Sequence, residues 1–154
     1  MAAVKSIRET IDPEDTLPPV ELIVDPSKRS SRGTVQPRGM LIVSDGEIIG
    51  SATIVTHIRG GFEHFNGVKL DSRYRGKGYG MATYLAAIEH AHSEGREWRS
   101  HDWTQTGAAA KVWQQFIDSG IAEVVEPLTY VGTEENGIEK YTSDIRIPPS
   151  SPTT

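Results

Sequence analysis

The sequence predicts a single α/β domain built on a mixed, twisted sheet, and three observations carry that expectation. Strand-forming hydrophobic runs fill residues 20–70 and are separated by turn residues. From there on, two blocks with apolar residues at three- and four-residue spacing are each followed by a short strand-forming run. The chain has 154 residues, 36% hydrophobic and 24% charged, as expected for one ordinary globular core. A chain of this length buries roughly 70% of the surface its extended form exposes, so it needs no metal or disulfide staple.

The first 19 residues are polar, end in Pro18-Pro19 and are expected to be poorly ordered, with at most one short helical turn. Residues 20–24 (VELIV) read as a strand, followed by a basic loop from Asp25 to Thr34. The runs MLIVS (40–44) and EIIGSATIVTHI (47–58) flank Asp45-Gly46, a strong hairpin signal. Arg59-Gly60-Gly61 makes a second turn into FEHFNGVKL (62–70), completing an antiparallel meander. DSRYRGKGYG (71–80) is a glycine-rich basic loop. Residues 81–95 predict a helix that ends at Gly95, with Met81, Tyr84, Leu85 and Ile88 on one face. EWRSHDW (97–103) predicts a strand, and Thr106 or Gly107 opens a second helix through Ser119. Its apolar face carries Ala109, Val112, Trp113, Phe116 and Ile117. Strands at 121–125 and 138–147 complete the order β-β-β-β-α-β-α-β-β, with helices expected on both faces of the sheet. The domain spans 20–147, and 148–154 read as a disordered tail.

Composition removes several classes of function. The 16 Lys and Arg against 21 Asp and Glu give a net charge of −5, which argues against a broadly basic nucleic-acid binder. There is no cysteine, hence no disulfide scaffold, thiolate zinc site, iron–sulfur cluster or cysteine nucleophile. No run approaches the 18 apolar residues of a membrane helix, and the N-terminal stretch lacks the apolar centre of a signal peptide. A cytoplasmic protein is the plain expectation. No arrangement of His, Asp and Glu predicts a metal.

The segment Arg75-Gly76-Lys77-Gly78-Tyr79-Gly80 lies between a predicted strand and a predicted helix. Glycines let a backbone turn tightly and approach a ligand closely. The first N–H groups of the following helix lack internal partners and suit phosphate oxygens. Lys69, Arg73, Arg75 and Lys77 face one acid, Asp71, in the same stretch. A phosphate-bearing ligand follows. The pattern GxxxxGK[ST] is absent, and the early βαβ unit and later ribose-binding acid of a dinucleotide fingerprint are missing.

In this setting the chain resembles the GNAT superfamily of acyl-CoA-dependent N-acetyltransferases. The family signature is Arg or Gln, two residues, Gly, one residue, then Gly or Ala; Arg75, Gly78 and Gly80 match it. The approach VKLDSRY (68–74) is similar to the family's fourth strand and following bend, and the resemblance covers roughly residues 38–125. It implies a single-domain acyl-CoA N-acyltransferase fold with a splayed pair of central parallel strands, 62–70 and 97–103. It also implies that the amides of Gly76, Lys77, Gly78, Tyr79 and Gly80 bind the coenzyme A pyrophosphate. The pantetheine arm would bond the exposed backbone of Val68, Lys69 and Leu70. The implied activity is acetyl transfer from acetyl-CoA to an amine of a small molecule or protein. The family's later tyrosine falls on Trp113 or on Phe116 according to the register chosen, and neither has a hydroxyl. Trp113 is placed in the coenzyme channel, and Tyr141 or Tyr130 are candidates to protonate the leaving thiolate. The missing hydroxyl keeps a second reading open, a non-catalytic acyl-CoA-binding or sensing module.

Acetyl transfer needs an unprotonated amine beside the thioester, a proton acceptor and stabilisation of the developing oxyanion. A regular strand places His64, Asn66, Val68 and Leu70 on one face, with Glu63, Phe65, Gly67 and Lys69 on the other. His64 is the leading base, because imidazole is neutral and accepting near pH 7 and several acetyltransferase families carry a Glu or His at this position. Asn66 is placed to orient it, the water or the substrate, and Asp102 to touch the acceptor or assist the base. Glu63 replaces His64 if a bulge near Gly67 exchanges the faces. His57 helps shape the acceptor cleft, whereas His90, His92 and His101 read as structural or surface residues. Acids in the last third, including Glu123, Glu126 and Glu139, would favour a cationic amine if they rim the cleft. Only residues 25–39 join the first two strands, where the family usually places two helices. The acceptor site is therefore either open or closed by a partner subunit, as in a homodimer.

Overall fold

The strands form where the turn chemistry says they should, and the computed structural model describes residues 6–28, 33–100 and 105–149, with no side chain for Gln105. Strands β1 (Glu21–Val24), β2 (Val35–Ser44), β3 (Glu47–His57) and β4 (Phe62–Leu70) make an antiparallel meander. Asp45 and Gly46 both take positive φ (49° and 78°), the turn whose twist matches a two-residue hairpin. Helix α2 (Tyr79–Ser93) leads to β5 (Glu97–Arg99), and β6 (Gln105–Thr106) precedes α3 (Gly107–Asp118). The hairpin β7 (Glu123–Thr133) and β8 (Glu139–Ile147) ends the domain. The sheet runs β1-β2-β3-β4-β5-β8-β6, with β7 on β8.

Two elements differ from their sequence boundaries for identifiable reasons. β7 is longer than 121–125 because it pairs with β8 as far as Thr133, through three register shifts that break its alternation. The strand foreseen over 97–103 is described to Arg99, and His101 and Asp102 lie outside the described residues. No helix among the described residues is long and apolar enough to cross a membrane.

Both long helices lie on one face of the sheet, which corrects the expectation of helices on both. The two crossovers, β4 to β5 and β5 to β7, step the same way along the sheet, so the usual handedness puts α2 and α3 on the same side. There they meet directly, with Tyr84 against Trp113 at 6.2 Å and Phe116 at 6.3 Å between ring centroids. The core forms between them and the sheet. Leu85 and Ile88 of α2 are fully buried with Ile42, Trp98, Phe116 and Ile145, and Phe65 meets Tyr84 and Trp98 edge-on.

Residues 6–19 fold against this core. Ser6 Oγ caps helix α1 (Ile7–Ile11) by accepting from Glu9 N at 3.1 Å. Asp12 then accepts from Thr16 N and Leu17 N, both at 2.9 Å, and these bonds hold its carboxyl below the ordinary range. Ser44 Oγ donates to Pro19 O at 2.5 Å. Ile7, Ile11 and Leu17 pack on the core.

The pairing of β3 with β4 contains a bulge. Ala52 stands opposite Val68 and Ile54 opposite Phe65, so Asn66 and Gly67 share one space, Gly67 with φ +102°. A residue with φ in this region is most easily glycine. Past the bulge the alternation of β4 is reversed, and Phe65 and Val68 both face the helices.

Candidate active site

β4 and β5 run parallel and, among the described residues, pair only at Phe62 with Glu97 and Glu63 with Trp98. Beyond those two rungs β4 has no β5 partner among the described residues, while its other edge stays paired with β3 to Leu70. The separation opens a cleft of about 720 Å³ lined by Phe65, Asn66, Gly67, Val68 and Leu70 from β4 and by Trp98 and Arg99 from β5. Arg75 and Gly80 close one end, and Thr106, Ala108, Ala109, Val112 and Trp113 of the α3 segment form the remaining wall with Tyr84.

The basic loop stands where its glycines suggested. Gly76 and Gly78 have φ +72° and +89°, and Gly78 is the N-cap of α2 with no side-chain cap. The first N–H groups of a fifteen-residue helix therefore face outward beside the exposed Arg73, Arg75 and Lys77. Arg75 Nε donates to Leu70 O at 3.2 Å, tying the loop to the end of β4. The N-terminal segment braces it from behind: a Cβ on Gly78 would lie 3.0 Å from Leu17 Cδ2 and 3.3 Å from Pro18 Cδ. Tyr79 sits edge-on to Tyr74 at 5.1 Å, and the Tyr74 hydroxyl donates to Glu47 at 3.0 Å. Uncapped amides, three cations and a strand edge without a β5 partner among the described residues suit an extended ligand that carries phosphate.

Of the residues singled out in the sequence, the structure brings Asn66, Val68, Leu70, Arg75, Gly80 and Trp113 together around the cleft. Lys69 is exposed and stands opposite Ser51 in the hairpin register. Gly76, Lys77, Gly78 and Tyr79 sit in the loop at its end. Asp102 is outside the described residues.

His64 is not among the cleft-lining residues; it lies on the face opposite the helices. Its Nδ1 is 3.1 Å from Phe65 O, and its Nε2 is 3.0 Å from His57 Nε2. A carbonyl only accepts, so Nδ1 carries a proton. Neutral His64 then accepts at Nε2 from His57. Once protonated, His64 instead donates to His57, and both of its N–H groups keep partners. Phe62 stacks on His57 at 4.1 Å and 11°, and the Arg99 guanidinium lies 3.8 Å from the Phe62 centroid.

Glu63 shares the helix-side face with Phe65 and is 1% exposed. Thr56 Oγ1 donates to its Oε2, Arg96 Nη1 lies 4.0 Å away, and Oε1 has no partner among the described residues. The indole N–H of its register neighbour Trp98 is likewise buried without a partner. The bulge at Asn66-Gly67 does bring Glu63 onto the face of Val68, the exchange foreseen as its route to the base, but at 1% exposure Glu63 is a core carboxyl group closed off from an acceptor, whereas His64 on the opposite face is half-buried.

Sequence reasoning missed the cleft's hydroxyls. Tyr84 lines it, and burial pushes its phenol well above the ordinary range, so it stays protonated. The Thr106 hydroxyl caps α3 by accepting from Ala109 N at 3.3 Å, leaving its own proton to donate. Helical spacing had assigned Tyr84 to the core, which is true of its ring. Tyr141 and Tyr130 bond Glu139 and Thr133 on the terminal hairpin and do not line the cleft. Nor do Glu123, Glu126, Glu134, Glu135, Glu139 or Asp144.

Comparison with known proteins agrees with this architecture. A family model described as the acetyltransferase (GNAT) family matches residues 5–116, more than half the chain. No curated protein sequence matches. Among solved structures, the ribosomal-protein-S18-alanine N-acetyltransferase of Escherichia coli aligns with a TM-score of 0.53 at 12% identity, over 77% of this chain and 74% of that one. The spermidine N-acetyltransferase of Vibrio cholerae, solved with CoA and spermine, aligns with a TM-score of 0.52 at 13% identity, over 73% and 65% respectively. At these identities the likeness is one of fold.

Proposed function

The chain belongs to the GNAT acetyltransferase family, and we propose that it is an N-acetyltransferase moving an acetyl group from acetyl-CoA to an amine of a small molecule or protein. The observation that carries this reading is the parting of β4 from β5 directly beside the uncapped, basic N-terminus of α2.

In this reading the amides of Gly76 to Gly80, with Arg75 and Lys77, hold the pyrophosphate. The free edge of β4 around Val68, Lys69 and Leu70 holds the pantetheine amides, and Trp113 and Val112 wall the channel. Acetyl-CoA supplies the activated thioester. The amine nitrogen bonds the carbonyl carbon, the carbon–sulfur bond breaks, and the amine proton leaves. His64 receives that proton directly or through one water, and His57 shares it. Asn66, which lines the cleft, orients the water or the acceptor. Asp102 retains its proposed part assisting the base. Tyr84 and Thr106 are the hydroxyls available to protonate the departing thiolate. A non-catalytic acyl-CoA-binding module remains the second reading, favoured by the absence of a hydroxyl at Trp113 and Phe116; turnover of any amine dismisses it.

Gly80→Asp tests the carrying observation. Gly80 lies in the first turn of α2 with open space at its Cβ position, so the change adds chiefly a negative charge beside the phosphates. Calorimetry with coenzyme A should show affinity reduced about 10- to 100-fold, the scale of lost charge-assisted hydrogen bonds. A folded variant with unchanged affinity would place the cofactor elsewhere.

A further inference from the structure

We propose that Arg99 recognises a carboxylate on the acceptor, so that the amine acetylated here is one that carries a carboxylate. The inference deepens the acetyl-transfer reading of the cleft and rests on it.

Among the described residues, the charged side chains lining the cleft are Arg75 and Arg99, with no carboxylate. Arg75 belongs to the phosphate end, where it bonds Leu70 O. Arg99 stands at the other end, next to the last rungs shared by β4 and β5. It rises on the face opposite the helices, which also carries Phe62 and His64. An acceptor arriving there meets Arg99 and the histidine pair together.

The guanidinium is held before any ligand arrives. Nε donates to Glu97 Oε1 at 2.6 Å, and the guanidinium carbon lies 3.8 Å from the Phe62 ring centroid, a ring itself backed by His57. The two Nη groups have no partner among the described residues, and the side chain is 23% exposed. Glu97 offsets part of the charge at the Nε edge and is shared with Arg146, whose Nε lies 4.0 Å from the same oxygen. Selection comes from the planar Nη fork, whose geometry matches two carboxylate oxygens. A carboxamide offers one acceptor oxygen and leaves a donor unpaired, which a site built for hydrogen bonding discriminates against. A polyamine would place its charges beside Arg99 with none of the six terminal acids on the cleft wall.

The test is binding of matched N-acetyl amino acids and their carboxamides, with aliphatic, polar and aromatic side chains, to the coenzyme A-loaded protein. Wild type should bind at least one carboxylate about 10- to 100-fold more tightly than its carboxamide. Arg99→Gln should bring that ratio close to one without changing coenzyme A affinity, and Arg99→Lys should retain part of the preference. With an acetylated amine in hand, the ratio of KM values should follow the same order while kcat changes less. No preference in wild type, no binding of any carboxylate, or a preference that survives Arg99→Gln overturns the proposal. Failure to bind coenzyme A would instead overturn the acetyl-transfer reading, and the Arg99 proposal with it.

Discussion

The two faces of strands β3 and β4 are made by alternate residues of the same segments, yet they have opposite characters. On the helix side Ile54, Phe65 and Trp98 are buried at 3%, 6% and 0% exposure among α2 and α3. On the other side the neighbouring positions carry His57, Phe62, His64 and Arg99, half-buried and joined by ring stacking and hydrogen bonds. Packing density stabilises the first face. The second, with no helix over it among the described residues, leaves polar groups accessible to a substrate. In the proposed reading one strand serves stability on one face and chemistry on the other, and the bulge at Asn66-Gly67 exchanges the two faces along β4.

The largest effect should come from exchanging the two phenylalanines. Phe65→Ala should cost about 3–5 kcal/mol in urea unfolding, because it leaves a cavity beneath Tyr84 and Trp98. Phe62→Ala should cost less than half of that, since Phe62 is only half-buried. Equal losses would mean that the second face is also a core.

His64→Gln sharpens the contrast from the other side. It should lower the rate at saturating amine about 10²-fold, the lower end of general-base effects, while unfolding midpoint and coenzyme A affinity stay near wild type. The defect should shrink as pH rises and more amine arrives unprotonated. Superimposable pH–rate profiles for wild type and variant would remove His64 from the chemistry.

The smallest effect belongs to Tyr84, which touches both the core and the cleft. Its phenol titrates higher in the folded state than the ordinary value near 10 because burial disfavours phenolate. The folded state then holds a proton that the unfolded chain releases. This contribution is complete below pH 10 and is lost as pH rises beyond it, by up to about 1.4 kcal/mol per pH unit. Chemical denaturation of Tyr84→Phe above pH 10 should lack that part of the slope. An identical slope in both proteins would show that Tyr84 is not shielded.

Much of this architecture was legible because it is encoded within a few residues. Asp45-Gly46 announces its hairpin, and the three- and four-residue apolar spacing announces α2 and α3. The Arg75–Gly80 loop reveals itself by glycines and charge between a strand and a helix. The site's second face was only partly legible. His64 was singled out as the base, but its partner His57 follows from a hairpin register that sets Val55 opposite His64. Arg99 carried no motif, and its place on Phe62 requires two strands joined through a helix. Tyr84 was read as core because helical period reports which face is buried, not what the buried face borders.

By itself the sequence determined the order of elements, the turns between them and the chemistry of the α2 N-terminus, since each depends on local backbone preference and nearby charge. Tertiary structure alone decided which side of β4 each residue faces beyond the bulge, that both helices share one face, and that Leu17 and Pro18 brace Gly78. Those outcomes arise from pairing and packing between distant segments. A one-residue shift in register redirects every side chain after it, and no local pattern records that shift.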